Sequence, residues 1–239
     1  KLERRRNSDD EIDVEIDLGA GMPKYPLELN DNILWVGTMN EDETTKSLSD
    51  KVLDRGNLLS FPRPKEFVSR AKANSVEAAS MLPKSVWQRW LDANVIEEEQ
   101  FVSRIDKYKK GLEDVNEAME YAGRALGHRV WQTIENYMAN HPKVIAAIKT
   151  ETFDEAACDL AMQEAFEEAL VHKVMPKLRG IETDGETKTQ CIDRIESVLF
   201  GPNGKDGLAP GLQADFEHAK KNAYETFIWS SAKYLEIEE

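Results

Sequence analysis

Residues 32–61 limit the possible folds more than any other stretch of this chain. An apolar run at residues 33–37, Ile-Leu-Trp-Val-Gly, stops at Thr38-Met39-Asn40, and a polar, acidic segment follows. A helix-forming stretch then closes on Leu53-Asp54-Arg55, and a second apolar run fills residues 58–61. Short continuous apolar runs between turn formers predict buried strands, because a strand covered on both faces shows no polar face. The expectation is a strand at residues 32–38, a short helix at 47–53 capped by Ser47 or Ser49, and a strand at 57–61. Pro62 and Pro64 then end the α/β part. A buried strand that stops at an Asn, with an Arg one short helix later, suits the reading of phosphates. No phosphate-binding loop accompanies it in the sequence.

Before this stretch, residues 12–18 alternate apolar and acidic side chains, Ile-Asp-Val-Glu-Ile-Asp-Leu, which predicts a half-exposed strand. Residues 19–23, Gly-Ala-Gly-Met-Pro, break it, and Pro26 opposes a return to regular structure, so a hairpin or an extended arm is expected at 11–31. From residue 65 the signal is helical. Pro83 heads a helix through residues 84–91. Val130, Ile134, Tyr137 and Met138 share a helical face that stops at Pro142. Cys158, Met162, Phe166, Leu170 and Val174 recur every four residues, with Glu164, Glu167 and Glu168 on other faces, and Pro176 and Gly180 close that helix. A last helix is expected over residues 213–234, with Phe216, Ala219, Ala223, Phe227 and Ser230 near one side. The fold class is therefore mainly α with a small α/β remnant. The divisions are 1–62 for the α/β part, 63–180 for a helical domain and 181–239 for a helical extension.

A chain of 239 residues with 41% hydrophobic side chains can bury a core. A formal charge of −14 argues against direct, sequence-independent DNA binding, which needs Lys and Arg to neutralise phosphates. Cys158 and Cys191 form no CxxC pair, so two buried thiols in a reducing cytoplasm are the expectation. No run of 18 apolar residues predicts a membrane span. The chain opens with Lys-Leu-Glu-Arg-Arg-Arg, which reads as the end of an element begun earlier, so a piece of a longer or processed polypeptide is expected.

The candidate site residues each have two readings. Asn40, just past a strand, can hold a water or a γ-phosphate oxygen, or it can be a turn Asn bonding its own backbone. Arg55 can be an arginine finger on a transferring phosphoryl group, or an ion-pair partner of Asp54 or Asp50. Arg129 opens a helix, where the dipole disfavours a cation unless an anion is near; Arg124 competes with it, and both can be solvated charges. Residues 201–207, Gly-Pro-Asn-Gly-Lys-Asp-Gly, have the wrong spacing for a phosphate loop and read as an exposed turn. His128, His141, His172 and His218 lack metal-ligand spacing, so no metal site is expected. Glu97-Glu98-Glu99 and Glu167-Glu168 read as solvated faces.

The order of these residues carries a resemblance. The stretch WVGTMNEDETTKSLSDKVLDRGNLLSF resembles the second half of an AAA+ nucleotide-hydrolysing domain of the McrB-like and dynein-related branch. In that branch a strand ending in GT-[VM]-N carries the sensor-1 Asn, which matches Asn40. A following LDR carries an Arg at the subunit interface, which matches Arg55. Gly127-His128-Arg129-Val130 is similar to the start of a lid helix, which makes Arg129 the sensor-2 candidate and Arg124 the alternative. Val174-Met175-Pro176-Lys177-Leu178-Arg179-Gly180 is similar to a second lid segment. The family's Walker A and Walker B motifs are missing.

The resemblance implies that residues 1–62 end an AAA+ core, that 63–180 form its lid, and that the nucleotide-cradling half lies upstream. It implies ATP or GTP hydrolysis with Mg2+ by a homo-oligomeric ring, in DNA restriction or phage defence with a partner nuclease or effector. The segment by itself is expected to bind no nucleotide and to be inactive. The competing reading is a non-catalytic helical protein-interaction module. A DNA-binding helical domain is weakened by the charge.

Overall fold

The computed structural model describes residues 12–29, 34–39, 48–61, 80–92, 94–202, 207–221 and 224–230. The chain divides into two compact units, residues 1–46 and 47–239.

In the first unit the alternating stretch forms β1 (Ile12–Ile16), which pairs antiparallel with β2 (Tyr25–Leu29). Asp17 Oδ1 accepts the Gly19 N–H at 2.9 Å, and Gly19 and Gly21 take φ values of 104° and 87°. Those angles are open to glycine, and they let the chain reverse. Pro26 does not prevent the return: it lies inside β2, opposite Glu15. A two-stranded ribbon leaves part of each strand's N–H groups without a ladder partner, so a proline can be accommodated.

Residues 34–39 form no hydrogen-bonded strand, and Val36 is 84% exposed, against the buried strand expected at 32–38. An apolar run becomes a buried strand only where neighbours pair with its backbone and cover its faces. The only named strands among the described residues are β1 and β2, which pair with each other. The strand expected at 57–61 is absent for the same reason, and Phe61 is 78% exposed.

The second unit opens with α1 (Asp50–Leu53), which starts one residue after Ser49. Helix α2 (Lys84–Asp92) follows Pro83, whose carbonyl accepts the Val86 N–H at 2.9 Å. The body of the unit is α3 (Glu99–Tyr121), α4 (His128–Asn140), α5 (Pro142–Ile148) and α6 (Glu155–Lys173). Pro142 ends α4 and also occupies the first turn of α5, where a missing N–H costs nothing. Asp154 caps α6 by accepting the N–H groups of Ala156 and Ala157, a contribution of about 1 kcal/mol. The four-residue repeat on α6 is the buried stripe: Cys158, Met162, Phe166, Leu170 and, just past the helix, Val174 are fully buried.

After α6 a 3-10 turn (Met175–Leu178) leads through Gly180, at φ 78°, to α7 (Gly185–Thr187). A π-helical turn (Lys188–Ile192) joins α7 to α8 (Asp193–Phe200), and α9 (Gln213–Lys220) comes last. Helix α6 packs on α4 and α5, and α3 packs on α8. The Tyr108 and Phe166 rings, 4.8 Å apart, join α3 to α6. One hydrophobic cluster runs from Val95 to Trp229, so residue 180 separates no two cores.

The helix expected over residues 213–234 stops at Lys220. The chain then runs beside residues 180–183: Phe227 accepts from Gly180 and donates to Ile181, and Glu182 bridges Thr226. Phe227 and Trp229 alternate into the core in extended backbone, continuing a line of rings through Phe200 and Phe216. Their alternation fits a strand-like edge better than the helical period read from the apolar spacing.

Candidate functional site

Arg55 is exposed in the turn that ends α1. Its own N–H and that of Gly56 both donate to the Val52 carbonyl, at 3.1 and 2.9 Å, which fixes the turn locally. The residues on either side of Arg55 are anchored to a distant part of the unit. Lys177 Nζ lies 2.6 Å from Asp54 Oδ1, and Lys173 Nζ donates to the Gly56 carbonyl at 2.7 Å. Lys173 also reaches the Asp54 carbonyl at 3.5 Å. Asp54 therefore pairs with Lys177, an interaction that the sequence reading did not include.

Both lysines are buried, and Lys177 is 4% exposed although it sits between the fully buried Met175 and Leu178 in the 3-10 turn. A buried ammonium group is costly unless it is paired and hydrogen-bonded. Asp54 gives Lys177 a charge partner, and the Asp54 and Gly56 carbonyls accept hydrogen bonds from Lys173. Burial holds the Lys173 ammonium below its usual pKa; Asp54 opposes the shift and Lys177 adds to it. The alternation of cations and acceptors makes the α1 turn and the end of α6 one local assembly.

Asn40 lies outside the described residues, as does the Lys-Leu-Glu-Arg-Arg-Arg opening. Arg124 is exposed after Gly123, whose φ is 69°, and donates its backbone N–H to Met119. Arg129 is exposed in the first turn of α4, and its carbonyl accepts from Thr133 Oγ1 at 2.8 Å. Eight residues of helix place Arg129 about 12 Å along α4 from Tyr137.

Tyr137 belongs to a second polar cluster, which the sequence reading missed. Its hydroxyl donates to Glu168 Oε2 at 2.6 Å, and His141 Nε2 lies 3.3 Å from the same oxygen. The His172 ring stands edge-on to Tyr137, with centroids 5.9 Å apart. Lys143 pairs with Glu164 at 2.7 Å. The available signal was Glu164, Glu168 and His172 at successive helical turns of α6, a polar row beside the apolar stripe. Glu167 and Glu168 are correspondingly not a solvated face: both are half-buried, and Glu167 accepts the Gly211 N–H at 2.9 Å.

This cluster gives the fold a defined response to acid. The bond from His141, and then that from Tyr137, hold Glu168 below the usual carboxylate pKa against the opposing effect of burial. Burial holds His172 below the usual imidazole value, with Glu168 opposing. Each group binds a proton more readily in the unfolded chain, so protonation favours unfolding. The His172 contribution is complete above its ordinary value of 6.5 and declines below it. The Glu168 contribution is complete above 4.5 and declines below that. Melting temperatures should therefore fall steadily from pH 7.5 to 4, and His172→Leu should flatten the upper part of the fall. A melting temperature constant between pH 7.5 and 5 contradicts this account.

Cys158 and Cys191 are buried free thiols, as expected, and burial raises Cys191 to about 11. Lys220 on α9 bridges Glu196 of α8, at 2.6 Å, and Glu217 of its own helix, at 2.7 Å. Bonds involving Glu196 and then Lys220 hold Glu217 near 2, and burial raises Glu196. This is a structural tie between helices. Among the described residues no three His, Cys, Asp or Glu side chains are placed to hold a metal ion, and no helix is long and apolar enough to cross a membrane. The loop at 201–207 is described at its ends, where Gly201 takes φ 68° and the Ala209 N–H returns to the Leu199 carbonyl at 2.8 Å.

A family model described as a domain of unknown function, DUF8727, matches residues 81–225, which is more than half of the chain. The chain belongs to that family. No curated protein and no solved structure matches it.

Proposed function

We propose that this member of the DUF8727 family forms the sensor-1, arginine-finger and lid part of a ring-forming AAA+ NTPase in the cytoplasm, working with a partner nuclease or effector in DNA restriction or phage defence. One observation carries the reading. The Leu53-Asp54-Arg55-Gly56 turn and the Val174-to-Gly180 segment, both picked out by the resemblance, meet through Lys177–Asp54, and Lys173, the residue just before that segment, holds the Gly56 carbonyl. That contact sets an exposed arginine on an anchored turn, a placement suited to a phosphate on a neighbouring molecule. The hairpin of β1 and β2 is consistent with the reading, since members of the resembled AAA+ branch can carry one before the sensor-1 strand.

Phosphoryl transfer needs positioning and charge stabilisation more than covalent chemistry from the protein. In this reading Arg55 supplies its guanidinium to the adjoining subunit's nucleotide, ATP or GTP. Asn40 orients the attacking water or contacts the γ-phosphate, and Arg129, or Arg124 in its place, follows the nucleotide state from the lid. The phosphate-cradling loop and the carboxylate that holds Mg2+ are supplied outside these 239 residues. Mg2+, when bound, would neutralise charge on the transferring phosphates.

The full-length polypeptide should hydrolyse ATP or GTP, and its coding sequence should hold GxxxxGK[ST] and an acidic Walker B within about 150 residues upstream of Lys1. The 239-residue piece by itself should bind neither nucleotide tightly in calorimetry. A micromolar affinity of the piece, or a full-length protein without turnover, would count against the motor and leave the interaction module.

A further inference from the structure

We propose that Lys177, with Lys173 beside it, is the positioning residue for Arg55, so that a movement at the end of α6 is transmitted to the guanidinium; this rests on Arg55 acting on a phosphate. Backbone bonds to the Val52 carbonyl shape the α1 turn locally but do not tie it to the rest of the unit. Helix α1 is four residues long, and isolated helices of that length do not persist in water. The flanking apolar side chains provide little anchorage, since Val52 is exposed and Leu53 and Leu58 are only half-buried. The two lysines supply an ion pair and a hydrogen bond on either side of Arg55.

The lysines themselves cannot easily move apart from α6. Lys173 is the last residue of that helix, and Lys177 is held between Met175 and Leu178, both fully buried. Their ammonium groups grip Asp54 and Gly56, one residue before Arg55 and one after. A shift of α6 therefore moves the backbone of Arg55 with it. An ion pair from a buried lysine costs desolvation, and packed apolar residues often serve stability as well or better. Such a pair is more easily explained by the orientation it fixes. Lys177 lies within the family match, whereas Arg55 lies outside it, so the contact ties the family's helical domain to the preceding segment.

The test uses the full-length polypeptide with Lys177→Met and, separately, Asp54→Asn. Amide exchange at residues 54–58 should speed up in both variants, while residues 162–170 of α6 keep their protection. Turnover should fall on the order of 100-fold, as for a misplaced catalytic group, with KM near its original value. Adding Lys177→Met to Arg55→Ala should cost no further turnover. If exchange speeds up but turnover holds while Arg55→Ala abolishes it, the positioning role is wrong and the finger stands. If neither variant changes exchange, the grip on the turn is refuted directly. If Arg55→Ala itself leaves turnover intact, the finger fails and the positioning role with it, whatever the exchange shows. Should Lys177→Met fail to fold, Asp54→Asn, which leaves the buried stripe untouched, decides by the same measurements.

Discussion

Arg55→Ala in the full-length polypeptide is expected to abolish nucleotide hydrolysis while leaving nucleotide binding close to its original strength. The exposed position of Arg55 explains the second half of that expectation. A guanidinium that reaches an adjoining subunit takes no part in cradling its own subunit's nucleotide, so affinity measured on single subunits should not change. The first half follows from the charge that spreads over the transferring phosphoryl group, for which a supplied arginine is worth about 10³–10⁵ in kcat. Arg55→Lys should recover little of that loss, because an ammonium cannot reproduce the planar two-donor geometry. If the arginine acts on a neighbour, as proposed, rings mixed from Arg55→Ala and Asn40→Ala subunits should regain part of the activity that each homogeneous ring lacks. Steady-state turnover beside equilibrium binding makes the distinction. Turnover unchanged by Arg55→Ala sinks the finger assignment, and lost binding reassigns Arg55 to a site within its own subunit.

Where the sequence was legible, local periodicity and burial coincided. The α6 stripe could be read from a four-residue spacing because every member faces the same core. The starts of α2 and α5 could be read from Pro83 and Pro142, since proline has a narrow range of tolerated helical positions. Strands at 32–38 and 57–61 were misjudged because an apolar run records what could be buried and says nothing about which neighbour buries it. The end of α9 was misjudged because Phe227 continues a helical spacing while its backbone bonds go to residues 180 and 181.

The candidate site was legible as residues and not as contacts. Asp54 and Lys173 are 119 positions apart, and no local rule pairs a turn with the end of such a remote helix. The sequence offers Asp54 as a partner for its neighbour Arg55, and it gives no sign of the remote Lys177 that the structure places against Asp54. The glycine-rich loop shows a related limit. A methyl group at Gly207 would collide with the backbone of Leu199 and Phe200, so that glycine answers to a close approach of two chain segments. The same composition in an exposed turn would look identical in sequence.

Phe166→Ala is expected to lower the stability of the second unit by about 3–5 kcal/mol, the usual cost of truncating a fully buried phenylalanine. Phe166 is completely buried and packs its ring against Tyr108, which joins α3 to α6. Few neighbours could collapse into the space, because Met162, Leu170 and Ala165 around it on the helix are already enclosed. In a unit of this size the loss corresponds to roughly 6–20 °C in melting temperature. Leu160→Ala is the matched control, since Leu160 stands on the same helix with 56% of its surface exposed. Both changes substitute alanine, the best helix former, so helix propensity cannot explain a difference between them. The control should cost well under 1 kcal/mol, as surface substitutions usually do. Equal losses would mean that the stripe does not face the core. The functional consequence follows from what α6 carries, because Glu168, His172 and Lys173 depend on this helix keeping its register against α4 and the α1 turn. Loosening Phe166 should therefore speed amide exchange at residues 54–58 as well, although no side chain there is altered.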